Sequence, residues 1–308
     1  MRAAGIETFG GPVRSITVPD PRSLAPDEVL IQVMAAGVGN WDEFVRVGDW
    51  DIGRTPPMAL GVEAAGVVTQ IGGRNTRWAP GDAVMTHAVP VREQGSWSEQ
   101  LIVDGDLLAP KPKNVPWEEA AAFPVPALTA AQALLEVITP DADGLVLVNG
   151  AGGVTGGLTA ALAWLRGARV IATAGPASAE RLHRLGVQAV YDYRDRDWPQ
   201  AVRALTNGVG VPAAVNAARA GEPATLSAVA EGGRFATITG APPKPERGVS
   251  IANVYVRADG RQLRELAGLL AKRELEVSID SVHPLAQAAD ALALVTHRGA
   301  SGAVVLRP

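Results

Sequence analysis

Between Val146 and Leu165 the chain reads VLVNGAGGVTGGLTAALAWL: an apolar run, five glycines within eight residues, and then an Ala- and Leu-rich stretch of helical pattern. Reversing the chain needs one or two glycines. Crowding five of them between a strand and a helix implies that a ligand comes very close to the backbone. The chemistry that fits is phosphate binding, because a helix N-terminus offers unpaired N–H groups and the positive end of its dipole. The run from Asn149 and Gly150 through Ala151, Gly152, Gly153 and Val154 to Thr155 is therefore the candidate cradle for a dinucleotide pyrophosphate. The strict G-x-G-x-x-G spacing is not met, since Thr155 stands at the last glycine position and Gly156 follows. A structural glycine turn is the competing reading; the βαβ unit closing at ARVIATA favours the ligand.

The next strand says which dinucleotide. About 20 residues past the first glycines, an NAD site places an acid on the ribose 2′-hydroxyl. Here that position reads Thr173-Ala174-Gly175. Small residues leave room, and Arg181, Arg184, Arg194 and Arg196 follow closely enough in sequence to meet a 2′-phosphate, so NADPH is favoured over NADH. Each arginine taken singly also fits a solvated helix face.

Elements must hold this turn in place. From Gly144 to Gly240 strands and helices alternate: GLVLVNG, GGLTAALAWLRG, ARVIATA, SAERLHRLG, AVYDY, PQAVRALTNG, PAAVNAA, EPATLSAVAEGG, RFATITG. The pattern predicts a parallel sheet with helices on both faces. VSIANVYV follows as a further strand and GRQLRELAGLLAKREL as an amphipathic helix. The first third has another texture, with short β-type runs (VLIQVMAAGV, GVEAAGVVTQIG, GDAVMTHAVP, WSEQLIV) between Gly- and Pro-rich turns, as in a small barrel. Pro116 marks a helix start beyond it. The tail, HPLAQAADALALVTHRGASGAVVL, reads as a short helix and a closing strand that return to this first module. The expected domains are 1–118 completed by 262–308, and 119–261.

Composition narrows the partners. The 308 residues are 47% hydrophobic and 19% charged, which suits a globular chain with a sizeable core. A net charge of −4 offers no basic footprint for nucleic acid. There is no cysteine, hence no disulfide, thiolate chemistry or cysteine-ligated zinc. The N-terminus MRAAGIETFG lacks the character of a signal peptide, and no apolar run approaches the roughly 20 residues of a spanning helix. The reading is cytoplasmic.

Several stretches in series resemble the zinc-free quinone oxidoreductases, the zeta-crystallin-like group of the medium-chain dehydrogenase/reductase superfamily. They are AAGVGNWDEFVRVG, PPMALGVEAAGVVTQIG, GDAV, GSWSEQLIV, AAAFPVPALTAAQAL, the glycine turn, LGVQAVYDYR, GGRFATITG and HPLAQAADAL. The resemblance implies an α/β fold with a GroES-like β-barrel substrate domain and a Rossmann doubly wound parallel sheet, a cleft between them, and hydride transfer from NADPH. It places Asn40 beside the nicotinamide, Thr129 on the cofactor, Ala151 to Thr155 around the pyrophosphate, Tyr193 near the adenosine 2′-phosphate and Gly240 near the nicotinamide half. The chain departs from the family at Arg181, where a lysine is common on that helix, at Trp41, where proline is frequent, and at Ala303, where a basic residue is common.

Zinc-dependent relatives carry a ligating histidine in a Gly-His-Glu motif; here Gly61-Val62-Glu63 stands instead. With no cysteine and four scattered histidines, His87, His183, His283 and His297, the roughly three ligands of a catalytic zinc are missing, and no metal is expected. Glu63 then reads as a structural carboxylate, and His87 as a structural residue or a proton donor. Without a Lewis acid, conjugated acceptors suit the site better than simple alcohols and ketones, because the developing charge is delocalised. A quinone or an α,β-unsaturated carbonyl is the expected substrate. Asp42 is a candidate acid, or else braces the helix beside it. Trp41, Trp50 and Trp97 either line a pocket for a planar acceptor or pack in the core. Two alternatives remain open: an enoyl-thioester reductase, and a nucleotide-binding structural or regulatory protein without turnover. VSIANVYV, an apolar edge strand, predicts a homodimer.

Overall fold

The computed structural model describes residues 1–297 and 300–308. The chain divides into two compact units, 1–125 with 257–308, and 126–256. Among the described residues no helix is long and apolar enough to cross a membrane.

The first unit is mainly antiparallel. Its strands are β1 (Arg2–Ile6), β2 (Arg14–Thr17), β3 (Glu28–Val38), β4 (Met58–Ala59), β5 (Glu63–Ile71), β6 (Ala83–His87), β7 (Gln100–Asp104) and β8 (Leu108–Pro110), with helix α1 (Asn40–Val47) following β3 and α2 (Trp117–Ala121) following β8. β1, β2 and β4 form a small sheet of their own, in the order β2-β1-β4. The long strand β3 is buried at all but two positions and pairs with both β5 and β7. A strand that deep needs the near-continuous apolar run found there.

The second unit contains most of α3 (Pro124–Gln132), which widens into a π-helical turn over Ala133–Ile138. Then follow β9 (Leu145–Asn149), α4 (Val154–Leu165), β10 (Arg169–Ala174), α5 (Pro176–Arg184), β11 (Ala189–Asp192), α6 (Trp198–Ala204), β12 (Val211–Asn216), α7 (Glu222–Ala228), β13 (Val229–Thr237) and β14 (Ser250–Asn253). These strands form one six-stranded parallel sheet in the order β11-β10-β9-β12-β13-β14. The order reverses at β9, and such a switch point is where open α/β sheets bind ligands, at the carboxyl ends of the strands. On one face Leu145 and Leu147 of β9, Ile171, Ala214 and Phe235 pack under Trp198 and Val202 of α6 and Leu226 of α7.

The segment EPATLSAVAEGG, expected to be helical throughout, stays helical only to Ala228. From Val229 the backbone pairs with β12, Val211 opposite Val229. A β-branched residue followed by glycines has little helical preference to set against ladder bonds.

The chain then returns to the first unit through α8 (Gly260–Ala271), β15 (Ile279–Pro284), α9 (Ala288–Thr296) and β16 (Ala303–Arg307). Asp259 caps α8 by accepting from the Gln262 amide at 2.9 Å. β16 runs antiparallel to β3, giving a larger sheet in the order β15-β16-β3-β5-β6-β8 with β7 on β3. Part of the expected tail, residues 298 and 299, lies outside the described residues.

Candidate active site

In the parallel unit the turn after β9 has the shape that its glycines allow. Gly150 takes φ +85°, and a Cβ there would lie 2.9 Å from the Ala218 amide nitrogen. A Cβ on Gly156 would lie 2.2 Å from the Gly150 carbonyl oxygen, so the first turn of α4 packs directly on the bend. Gly156 thus serves the close packing that the strict spacing assigns to the position of Thr155. The residue before α4, Gly153, has no side chain to cap the helix, and positions 152–155 are at least partly exposed. An uncapped helix start with an accessible glycine bend is a fit for a pyrophosphate. The residues present therefore suit a nicotinamide dinucleotide.

Asn149 and Thr173 turn their side chains inward and hold the bend from beneath: Thr173 Oγ1 accepts from the Gly150 amide at 3.0 Å, and its hydroxyl donates to Asn149 Oδ1. The Ala151 side chain is buried and its amide donates to the Thr173 carbonyl at 2.9 Å. The Arg181 guanidinium donates to the carbonyls of Gly152 at 3.1 Å and Ala151 at 3.4 Å. Burial lowers its pKa from the usual value.

Tyr193 is 58% exposed. Its ring is 3.5 Å from where a Cβ on Gly175 would sit, just beyond the end of β10. Arg194 lies 6.0 Å from that ring and pairs with Asp192 at 2.8 Å. Asp192 stands opposite Ala174 in the ladder, so the acid beside the end of β10 is the one paired with Arg194. Gly240 takes φ +82° with nothing near its would-be Cβ. Thr129 is largely buried in α3.

In the antiparallel unit, Asn40 opens α1 and is exposed. Asp42 lies inside that helix and is completely buried; its Oδ2 accepts from the Gly39 amide at 2.9 Å, bracing the helix start, while Oδ1 has no partner. Burial pushes this carboxyl up to about 8, against the smaller opposing effect of the Gly39 amide. Glu63 is also fully buried: its Oε2 accepts from the Val125 amide at 2.8 Å, and its Oε1 is so close over Gly37 that a Cβ there would come to 2.2 Å. Burial sets its pKa well above the ordinary value, the Val125 bond opposes that rise, and Asp42 adds to it. His87 stands opposite Glu63. It approaches the Val62 carbonyl through Nδ1 at 3.1 Å, leaves Nε2 without a partner, and is lowered by burial to about 4.

The tryptophans divide. Trp50 lies 6.2 Å from the His87 ring, centroid to centroid. Trp41 covers Gly39 and buries an unpartnered Nε1. Of the two readings open for Trp97 the structure shows core packing: it is fully buried, with its indole donating to the Gly37 carbonyl at 3.0 Å. Among the described residues, no three His, Asp or Glu side chains are grouped to hold a metal ion.

The comparisons add the lineage. Residues 25–113 match the alcohol dehydrogenase GroES-like domain, and residues 185–306 the zinc-binding dehydrogenase family. A quinone oxidoreductase of Sus scrofa is 26% identical over 99% of this chain and 97% of its own. An NADPH-dependent alkenal/one oxidoreductase of Arabidopsis thaliana is 28% identical over 96% and 75%. A solved NAD-dependent alcohol dehydrogenase is 30% identical, covers 100% of both chains and superposes with a TM-score of 0.90. This chain belongs to the medium-chain dehydrogenase/reductase superfamily, in its quinone-oxidoreductase-like branch. It is an oxidoreductase with the GroES-like and Rossmann folds of that superfamily.

The sequence reading missed a row of polar residues beneath the turn. Asn149 stands opposite Asn216, and Asn216 opposite Thr237. Their signal was a polar residue closing each apolar strand, but only the register brings them into line.

Proposed function

We propose that this oxidoreductase uses NADPH to reduce a quinone or an α,β-unsaturated carbonyl, and does so without zinc. The observation that carries the reading is the end of β10. It bears no free acid, and the neighbouring Asp192 is already paired with Arg194 beside the Tyr193 ring. A ribose 2′-hydroxyl meets no carboxylate on β10 itself, whereas a 2′-phosphate would meet the exposed Tyr193 ring and could compete with Asp192 for the Arg194 guanidinium. The glycine bend and the amides of Val154 and Thr155 hold the pyrophosphate. Thr129, Gly240 and Asn40 serve the nicotinamide half, and Asp42 braces Gly39 so that Asn40 is presented on the first turn of α1.

Bound NADPH supplies the hydride. Independence from zinc is supported by the donor set: the chain has no cysteine, and Val62 stands at the histidine position. A conjugated acceptor delocalises its developing charge, so no side chain is obliged to act as a general acid. Trp41 and Trp50 are the candidates to flank a planar acceptor. The protein works in the cytoplasm as a homodimer paired through β14, the edge strand, beyond which Tyr255 is 75% exposed.

The test is steady-state oxidation of NADPH and NADH against a panel of quinones, enones and enoyl thioesters, with and without a chelator. Chelator-resistant turnover of quinones or enones with NADPH preferred is expected. Turnover confined to thioesters, or tight binding without turnover, defeats the proposal. A monomer by light scattering at micromolar concentration defeats the dimer.

A further inference from the structure

A chain of hydrogen bonds crosses the carboxyl edge of the parallel sheet, and each of its links donates in the same direction. It starts at the Gly150 amide, which donates to Thr173 Oγ1 at 3.0 Å. The Thr173 hydroxyl donates to Asn149 Oδ1. Asn149 Nδ2 donates to Asn216 Oδ1 at 2.9 Å, and Asn216 Nδ2 to Thr237 Oγ1 at 3.3 Å. Thr237 and Thr239 hydroxyl oxygens lie 2.9 Å apart, and the Thr239 hydroxyl donates to Glu222 Oε1. The ends set the polarity. A backbone amide can only donate, and at the other end the Thr239 hydroxyl spends its proton on Glu222, so Thr237 must donate to Thr239.

Side branches fix the two amides. Asn149 Nδ2 also donates to Thr225 Oγ1 at 2.8 Å, and Asn216 Nδ2 to the Ala218 carbonyl at 3.0 Å. Asn149, Thr173, Asn216, Thr225 and Thr237 are all buried. In such surroundings links of one sense polarise one another, and an unpaired member is costly.

We propose that this chain, terminated by Glu222, is a positioning relay that fixes the segment Ile238–Gly240 relative to the glycine bend. In a bound dinucleotide it would set the nicotinamide half against the pyrophosphate. The inference rests on the dinucleotide reading above and goes beyond it by naming Glu222 and Thr239 as positioning residues.

The experiment compares two ligands on the full chain: NADPH, and 2′,5′-ADP, which has the adenosine phosphates but no nicotinamide. Thr239→Val removes the hydroxyl at nearly constant shape, and Thr239→Ser restores it. For Thr239→Val the relay predicts ~10-fold weaker NADPH binding and ~10-fold lower kcat with a quinone or enone acceptor, with 2′,5′-ADP binding changed less than about twofold. Thr239→Ser returns both to about the wild-type values. Glu222→Ala, a second variant from the other side of the link, shows the same split.

Equal losses for both ligands, or a lowered melting temperature with neither affinity nor kcat altered, overturn the relay. Wild-type binding and turnover with Thr239→Val indistinguishable from it sink this inference alone. Failure of the wild type to bind NADPH or NADH sinks the cofactor reading and the relay together.

Discussion

In the parallel unit Asn149, Asn216 and Thr237 are as buried as the leucines around them, and their side-chain nitrogens and oxygens are all partnered. In the antiparallel unit Asp42, His87 and Trp41 each bury a polar atom that meets no partner. Full pairing braces the bend from beneath. Incomplete pairing leaves groups whose protonation is set by burial and whose hydrogen-bonding capacity is unspent. The parallel unit thus spends its buried polar groups on one another, whereas the antiparallel unit leaves some of that capacity unused. Asn253 is the exception in the parallel unit: it stands opposite Thr237 on the edge strand with an unpartnered Oδ1.

Breaking the paired side has the largest expected effect. Asn216→Leu takes one of its acceptors from Asn149 Nδ2 and removes the donor to both Thr237 Oγ1 and the Ala218 carbonyl, and should cost about 3 kcal/mol in urea unfolding.

The unpaired side responds to pH. Asp42 keeps its proton in the folded chain up to about pH 8, whereas the unfolded chain releases it near the ordinary value of 3.8. Stability from this group is complete below about pH 4 and is lost as pH rises toward 8. Over the stretch from pH 6.5 to pH 8 that amounts to about 2 kcal/mol, and Glu63, also raised, adds in the same sense. Asp42→Asn, which cannot ionise, should flatten the decline and so recover on the order of 2 kcal/mol between pH 6.5 and pH 8. Unfolding curves across pH decide it.

His87 sharpens the contrast with the opposite sign. Its pKa is lowered to about 4, so its contribution is present above 6.5 and lost as pH falls toward 4. Replacing it, as in His87→Gln, should steepen the decline seen between pH 4 and 6.5 by about 1.4 kcal/mol per pH unit.

The smallest effect is expected at Arg194, which is exposed. Arg194→Ala should leave stability within about 0.5 kcal/mol, while narrowing any preference for NADPH over NADH in a titration of both.

The glycine turn, the βαβ alternation and the edge position of VSIANVYV were readable because each is a local pattern of residue types. Asp42 was readable as a brace or an acid, but only the helix starting at Asn40 shows its carboxyl bent back to Gly39. Trp97 looked equally suited to a pocket or a core, and the close approach of Gly37 and Gly61 to its ring decides for the core. The polar row escaped because Asn149, Asn216 and Thr237 are separated by whole helices in sequence and meet only through parallel register. Arg181 escaped for a related reason: nothing in its neighbours says that the side chain folds back under the preceding loop.

That placement of Arg181 has a kinetic consequence. A guanidinium stays charged in proteins, and here it is tethered behind the bend by the Gly152 and Ala151 carbonyls. It offsets the negative ends of those carbonyl dipoles and adds a positive charge beside the bend. An approaching anion is drawn in before it touches an amide, so the rate of association, more than the rate of escape, should fall as ionic strength rises.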